Sequence, residues 1–452
     1  MSFKKLVSMI ICFTMLMTML VGCGTTGTPG TQTPGATTPG ATTPGATSPG
    51  PATSPINLTF YGGWTGADLD QMKALVDKFN SEHSNIHVEF TSLQWTQMFT
   101  KFLTDFRAGN PPDIVASHTF EIGQFAEMGV LDAEAVANLK LNEADYIQSA
   151  WQGSTYKGVQ YGVPIGVNMH GLYYNKDHFS KQGITSAPRT GEELISVAQK
   201  LTLDKNGKHP NEAGFDENNI VQYGLGFAMN HHVFYQFYGL LNQQDANTFT
   251  ADMTELKLDE DKAAKALGFI QDLIFKYKVV PKGEKSPIDD FKAGTVSMIV
   301  DGNWQISGLE STKLNWDTAP YPTVFNNDKM WGAAEVVTFP VNKNADAARK
   351  QAAAQFVKWL SQNSASWGES GQLPALKSAL DTVKDLKGRA AYIQELDSVT
   401  FIPMHPMATQ LFSSAAPSPI LTAAQDTVLN NKDPKTVAKQ LVKDINALLA
   451  QK

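Results

Sequence analysis

The chain has 452 residues, with 37 Lys and Arg against 44 Asp and Glu, a formal charge of −7, and two cysteines. Mild acidity with scattered charge argues against nucleic acid and against adhesion to anionic lipid. The length exceeds what one compact core organises, so two lobes are expected.

Residues 1–22 carry Lys4 and Lys5, then the apolar run Leu6 to Val21, and end at Leu20-Val21-Gly22-Cys23. A basic start, a short apolar core and small residues before a cleavage point mark an export signal. The run falls short of the roughly 20 residues that span a bilayer, so an uncleaved anchor is the weaker reading. Leu-Val-Gly-Cys resembles the bacterial lipoprotein box, in which the cysteine is lipidated and becomes the new N-terminus. Acyl chains contribute about 0.8 kcal/mol per buried methylene, so two or three of them anchor stably. Cys12 lies in the removed signal and Cys23 carries lipid. The mature chain then has no thiol for a disulfide, a zinc–thiolate site or cysteine catalysis. Loss of Lys4 and Lys5 takes the formal charge from −7 to −9. An extracytoplasmic protein, lipid-anchored to the outer face of the cell membrane, is expected.

Residues 23–55 are the lipidated Cys and a linker of Gly, Thr, Pro, Ala, Ser and one Gln, with Pro-Gly every five residues from Pro29-Gly30 to Pro49-Gly50. Such a stretch cannot bury apolar area to offset its ordering entropy. Fully extended at about 3.1 Å per residue it reaches roughly 100 Å. It reads as a passive spacer.

Ile56 to Tyr61 reads as a strand ending in Gly62-Gly63. Leu69, Met72, Val76 and Phe79 follow at helical spacing, and Ile86 to Phe90 alternates as a strand does. Gln97 to Arg107 reads as a helix, stopped by Gly109 and Pro111-Pro112. Asp113 to Ala116 is a short buried strand. This β-α-β-α-β order predicts an α/β fold with a mostly parallel sheet. Further on, Gly171–Tyr174, Thr295–Val300 and Val336–Phe339 read as strands. Glu192–Leu201, Lys262–Tyr277, Ala345–Leu360 and Val437–Leu449 read as helices. Asp204 to Asn219 reads as a surface insertion; it lacks the spacing of a calcium loop, and no metal or cofactor is expected.

Several segments together resemble the solute-binding proteins of sugar ABC importers, the maltose-binding-protein-like family. They are Asn110-Pro111-Pro112-Asp113-Ile114-Val115, Gly129-Val130-Leu131, Val163 to Val167 with Tyr174 to Asp177, Phe291 to Met298 with Asp301-Gly302-Asn303-Trp304, and Trp367 with Gly371-Gln372-Leu373-Pro374. The resemblance implies a periplasmic-binding-protein-like fold: two α/β lobes joined by a hinge, with ligand in the cleft. It implies an N-lobe of 56–167 plus 337–400 and a C-lobe of 168–336 plus 401–452. It also implies an ABC permease as partner.

Sugars have apolar C–H faces ringed by hydroxyls, so a sugar site needs flat aromatic rings beside polar side chains. In open α/β sheets ligand lies beyond the carboxyl ends of strands. Trp64 follows the first strand after two glycines, which permit a sharp turn. Trp95 follows the second strand, where it equally suits a packed helix start. His118 and Phe120 follow the third. Asn168 falls where the resemblance places an acidic cleft residue, and His170 shares its strand face. From the stretch Asn230 to Tyr238 we take His231 and Tyr235, leaving Phe234 and Phe237 as core. A His-His metal site there lacks nearby carboxylates. Asp301 is expected to end a strand and cap the helix that sets Trp304 at the strand mouth. Trp331 and Glu335 belong to the second crossing and His405 lies near the third. Trp151, Trp316 and Trp359 read as structural.

These readings point to a monomeric, lipid-anchored receptor without chemistry of its own, capturing an oligosaccharide. Eight tryptophans favour several sugar units over one. The Thr-Pro-Gly tether fits a degrader of plant polymers, hence a β-linked gluco- or xylo-oligosaccharide. The competing classes are a surface glycosidase, which needs two carboxylates at defined separation, and a receptor feeding a sensor kinase. Cys23→Ala is expected to release the protein from membranes or block its processing, read from membrane partition and gel mobility; unchanged partition and size would refute lipidation.

Overall fold

The computed structural model describes residues 55–230, 232–246, 249–250, 253–412 and 418–451. The signal segment, Cys23, the linker up to residue 54 and His231 lie outside them.

Strands β1 (Ile56–Gly62), β2 (Ile86–Ser92) and β3 (Ile114–His118) are joined by helices α1 (Asp68–Glu82) and α2 (Trp95–Arg107). Helix α2 forms because Met98, Phe99 and Phe102 fall on one buried stripe. Gly109 then takes a left-handed φ of 80° that a side chain would resist, ending the helix. β1 pairs in parallel with both β2 and β3. Helix α3 (Thr119–Glu127) leaves β3 directly.

Strand β4 (Gly162–Asn175) is 14 residues long and buried at all but one of them. The crossing at Val163–Val167 and the strand at Gly171–Tyr174 are one element. Both its faces are covered, so it carries no alternation to reveal its length. Past it come α4 (Val233–Asn242), α5 (Glu260–Phe275), β5 (Met298–Gly302), β6 (Trp316–Ala319) and β7 (Met330–Thr338). The chain closes with α6 (Ala347–Gln362), β8 (Leu373–Pro374), β9 (Val399–Phe401), α7 (Pro419–Val428) and α8 (Pro434–Leu449).

The nine strands lie in the order β6-β4-β7-β3-β1-β2, with β5 and β8 also on β4 and β9 on β7. Only β2-β1-β3 and β7-β9 are parallel; β7 runs antiparallel to β3 and β4, as do β5, β6 and β8 to β4. The expected mostly parallel sheet is therefore corrected to a mixed one. The reason is topological: β7 brings the chain back in the direction opposite to β4. β4 and β7 are the two long strands shared by both lobes. In one lobe α1 packs on β2, α3 on β3 and α6 on β1 and β4. In the other α4 packs on β7, and α7 and α8 pack on α5. The short helix Ala390–Gln394 packs on β4 and β6.

Asp204 organises its insertion by accepting backbone N–H groups of Asn206, Lys208 and Asp216 at 2.7, 2.9 and 2.9 Å. Across the first lobe, Arg349 of α6 donates from Nε and Nη2 to buried Asp113 at 2.6 and 2.8 Å, and Asp113 also accepts Thr59 N at 2.7 Å. The fork ties a helix to the β1–β3 edge. Arg349→Ala is expected to lower stability by about 2 kcal/mol, because a buried carboxylate loses two charged donors. A denaturant midpoint equal to that of the parent chain would refute the tie.

Candidate functional site

A cavity of about 1220 Å³ opens beyond the carboxyl ends of β1, β2 and β3 and reaches the strands of the other lobe. Trp64, Trp95, His118, Phe120, Asn168, Tyr235, Trp304, Trp331 and Glu335 all line it.

On the first lobe the rings form a continuous wall. Trp64 meets Trp95 edge-on at 5.5 Å, Trp95 lies 4.1 Å from His118, and His118 stacks on Phe120 at 5.4 Å. Trp95 is both the first residue of α2 and a wall residue, so its two readings coexist. A Cβ at Gly63 would come within 1.9 Å of the Trp95 ring. Glycine at 63 is what lets that ring lie on the backbone. His118 is fixed by Glu121, whose carboxylate accepts the His118 backbone N–H at 3.0 Å.

On the second lobe Tyr235 stacks on Trp331 at 3.6 Å and 19°. Trp304 stands 6.3 Å from Trp331, over Gly302, where a Cβ would meet its ring at 2.0 Å. Burial pushes the Tyr235 hydroxyl up, so it stays protonated. His170 does not reach the cavity. It is fully buried one layer behind, 5.0 Å from Trp331 and 5.8 Å from Trp304. Of the two histidines that open that stretch, His232 lines the cavity, and His231 lies outside the described residues.

Three sequence expectations are corrected. Asp301 neither ends β5 nor caps a helix: it sits inside the strand and accepts Gly302 N at 2.7 Å and Gln305 Nε2 at 3.2 Å. A carboxylate does lie near the histidines, since donor atoms of His170, His232 and Asp301 fall within 4.8 Å of one another. Asp301 is far away in sequence, and only the β4–β5 pairing brings it there. Burial pushes its carboxyl up to about 7. His405 is away from the cavity, stacked on Phe249 at 5.8 Å, with Nδ1 accepting Met407 N at 2.9 Å and Nε2 2.9 Å from the Met253 carbonyl. It packs a loop instead of facing ligand.

The centre of the floor is Glu335. Its Oε1 accepts Trp64 Nε1 at 2.8 Å, Gln372 Nε2 at 3.2 Å and Asn168 Nδ2 at 3.5 Å. The side chain lies at an irregularity where Glu335 opposes Gly166 but Val336 opposes Pro164, leaving Ile165 unpaired. Pro164 has no N–H to pair, and bulges of this kind re-aim side chains. Burial and the nearby Asp68 push the Glu335 carboxyl up to about 8, against the N–H donors that pull it down. Asp68, at the start of α1, is pushed up to about 6 by its own burial. Gln372 and Asp68 were not singled out from the sequence. The Gly371-Gln372-Leu373-Pro374 turn was noticed as a motif, but nothing in a linear reading carries a turn residue across to Glu335.

Residues 63–366 match the model of the family described as Bacterial extracellular solute-binding protein. The chain is 25% identical over 399 residues to the maltodextrin-binding protein MdxE of Bacillus subtilis, spanning 83% of this chain and 88% of that one. It is 24% identical over 375 residues to a maltooligosaccharide ABC transporter solute-binding lipoprotein of Streptococcus pneumoniae, spanning 78% and 80%. A solved ABC substrate-binding protein of Listeria monocytogenes, in complex with cycloalternan, shares the fold with a TM-score of 0.74 at 21% identity, over 88% of this chain and 99% of that one.

The raised carboxyls have a consequence for stability. Native values of about 6, 7 and 8 at Asp68, Asp301 and Glu335 exceed the ordinary carboxylate values. The folded chain then holds protons that the unfolded chain has released, so stability is full below the unfolded values and falls as pH rises through the folded ones. The melting temperature is expected to drop from about pH 5 to about pH 8, and Glu335→Gln to flatten that slope. A parent curve that rises over this interval, or an unchanged slope in the variant, would count against buried neutral carboxyls.

Proposed function

The chain belongs to the bacterial extracellular solute-binding protein family, and from that premise we propose that it captures an oligosaccharide in the cavity between its lobes for an ABC permease. Members of this family bind solutes and are not enzymes. The observation that carries the reading is the pairing of facing aromatic walls, Trp95 on one lobe and Trp304 with the Tyr235–Trp331 stack on the other, with a polar floor at Glu335. Rings stack on sugar C–H faces while the floor takes hydroxyls. The volume of about 1220 Å³ exceeds the roughly 300–1,000 Å³ of ordinary small-ligand sites. That favours several sugar units over one.

We place the ligand among β-linked gluco- or xylo-oligosaccharides. Their backbones are extended ribbons with equatorial hydroxyls, so both faces of each ring stay apolar and suit walls on two sides. The protein is held by lipid at Cys23 on the outer face of the membrane, as a monomeric receptor that serves the permease. The N-lobe comprises 56–167 plus 337–400, and the C-lobe 168–336 plus 401–452.

Calorimetric titration with cellotriose, xylotriose, maltotriose and glucose tests this. A β-linked trisaccharide is expected to bind and glucose to bind far more weakly; tight binding of glucose alone would overturn the oligosaccharide reading. Trp304→Ala should weaken that binding by roughly 5- to 150-fold, the equivalent of about 1–3 kcal/mol for a lost stack, with melting little changed. Parent-like affinity in this variant would remove Trp304 from the site.

A further inference from the structure

We infer that His170, His232 and Asp301 form a binding site for a transition-metal ion of the zinc type, set behind the aromatic wall of the second lobe. The inference goes beyond the sugar reading and uses no step of it.

The fold gathers these three side chains from separate elements. One ligand atom of each lies within 4.8 Å of the other two. Among the described residues no other group of three or more His, Cys, Asp or Glu donors comes so close. His170 is on β4 and Asp301 on β5, and the strands pair there, with His170 opposite Gly302. His232 is the residue from which α4 starts. Two strands and a helix start therefore bring two imidazoles and one carboxylate to one place. His170 and Asp301 are buried, at 0% and 3% exposure. A buried carboxylate is costly unless it is paired or held on a metal. His232 Nδ1 lies 3.8 Å from Asp301 Oδ1, too far for a hydrogen bond.

A tetrahedral ion with bonds of about 2.0–2.2 Å holds its donors roughly 3.3–3.6 Å apart. The three donors reach that spacing by movements of about 1 Å, and His232, the least buried of the three, is the one placed to move. The surroundings suit such an ion. Asp301 accepts Gly302 N on Oδ1 at 2.7 Å and Gln305 Nε2 on Oδ2 at 3.2 Å. These donors orient the carboxylate and still leave it lone pairs, since an ionised carboxylate has about four acceptor sites. The rings of Trp331, Tyr235 and Trp304 lie 5.0, 5.6 and 5.8 Å from that of His170 and form an apolar shell. His232 and Gln305 line the cavity, which gives the ion a way in and a water the fourth position.

Ligand chemistry selects the metal. Imidazole nitrogen suits zinc, copper and nickel, whereas magnesium and calcium take oxygen sets. The bound ion would also tie together the segments that carry the wall, because Tyr235 and Trp304 stand three residues beyond His232 and Asp301.

Calorimetric titration of the full chain, made without a polyhistidine tag and stripped with chelator, tests this with Zn²⁺ and with Mg²⁺ as the contrasting ion. The parent is expected to bind one Zn²⁺ per chain, and Mg²⁺ at least about 100-fold more weakly. Co²⁺ in place of Zn²⁺ is expected to give the strong visible absorption of a four- or five-coordinate site. His232→Gln and Asp301→Asn are each expected to weaken Zn²⁺ binding at least about 10-fold, since changing even the outer partners of a metal site costs about 10–100-fold. His87→Gln, at an exposed position of β2, is expected to change nothing. No saturable Zn²⁺ binding by the parent would overturn the site, as would parent-like binding by folded His232→Gln and Asp301→Asn. Loss of binding in His87→Gln would overturn it too, by placing the ion on the surface. Melting curves establish that each variant is folded. If neither site variant folds, the Co²⁺ spectrum of the parent decides, and the weak absorption of a six-coordinate, water-rich ion would overturn the site.

Discussion

One oxygen, Glu335 Oε1, holds the floor of the cleft together. It collects N–H donors from the end of β1, from the long strand β4 and from the turn before β8. Three chain segments far apart in sequence are thereby fixed to one atom. A carboxyl taken so completely out of water favours its neutral form, and in that form an oxygen that accepts three N–H groups acts as the carbonyl end. The irregular pairing beside Pro164 is the backbone counterpart of this arrangement, since a regular ladder would need an N–H that proline lacks.

From that floor the two aromatic walls rise on different lobes. Each depends on a glycine that removes a Cβ from beneath a ring: Gly63 under Trp95 and Gly302 under Trp304. The rings therefore rest on backbone, with little room to rotate, and present fixed faces. Rigid platforms lose little conformational entropy when they stack on a ligand. β4 and β7 carry the sheet from one wall to the other.

Much of the first lobe was legible because its strands are short, its helices amphipathic and its stops made by Gly and Pro. Nine of the thirteen ligand-site residues chosen from sequence line the cavity, and all of them but Tyr235, which lies on α4, end or follow a strand or lie on β4 or β7. Three choices went elsewhere, each for its own reason. His405 sits in a loop whose path is set by packing on Phe249. His170 has the right strand parity but lies behind the rings. Asp301 lies inside a strand that ends two residues later than its polarity suggested, and strand ends are poorly marked where both faces are buried.

Local chemistry sufficed for the α/β class and the wealth of rings near strand ends, because each is written in contiguous residues. Which rings face each other, which acid is neutral and which turn supplies Gln372 depended on contacts between distant segments, Trp64 and Glu335 being 271 residues apart. Burial and hydrogen-bond geometry belong to the assembled sheet, and the antiparallel return of β7 places Glu335 where β1, β4 and the Gln372 turn converge. No linear pattern carries that information, since a glutamate in a run of apolar residues reads the same whether it meets water, a metal or three N–H groups.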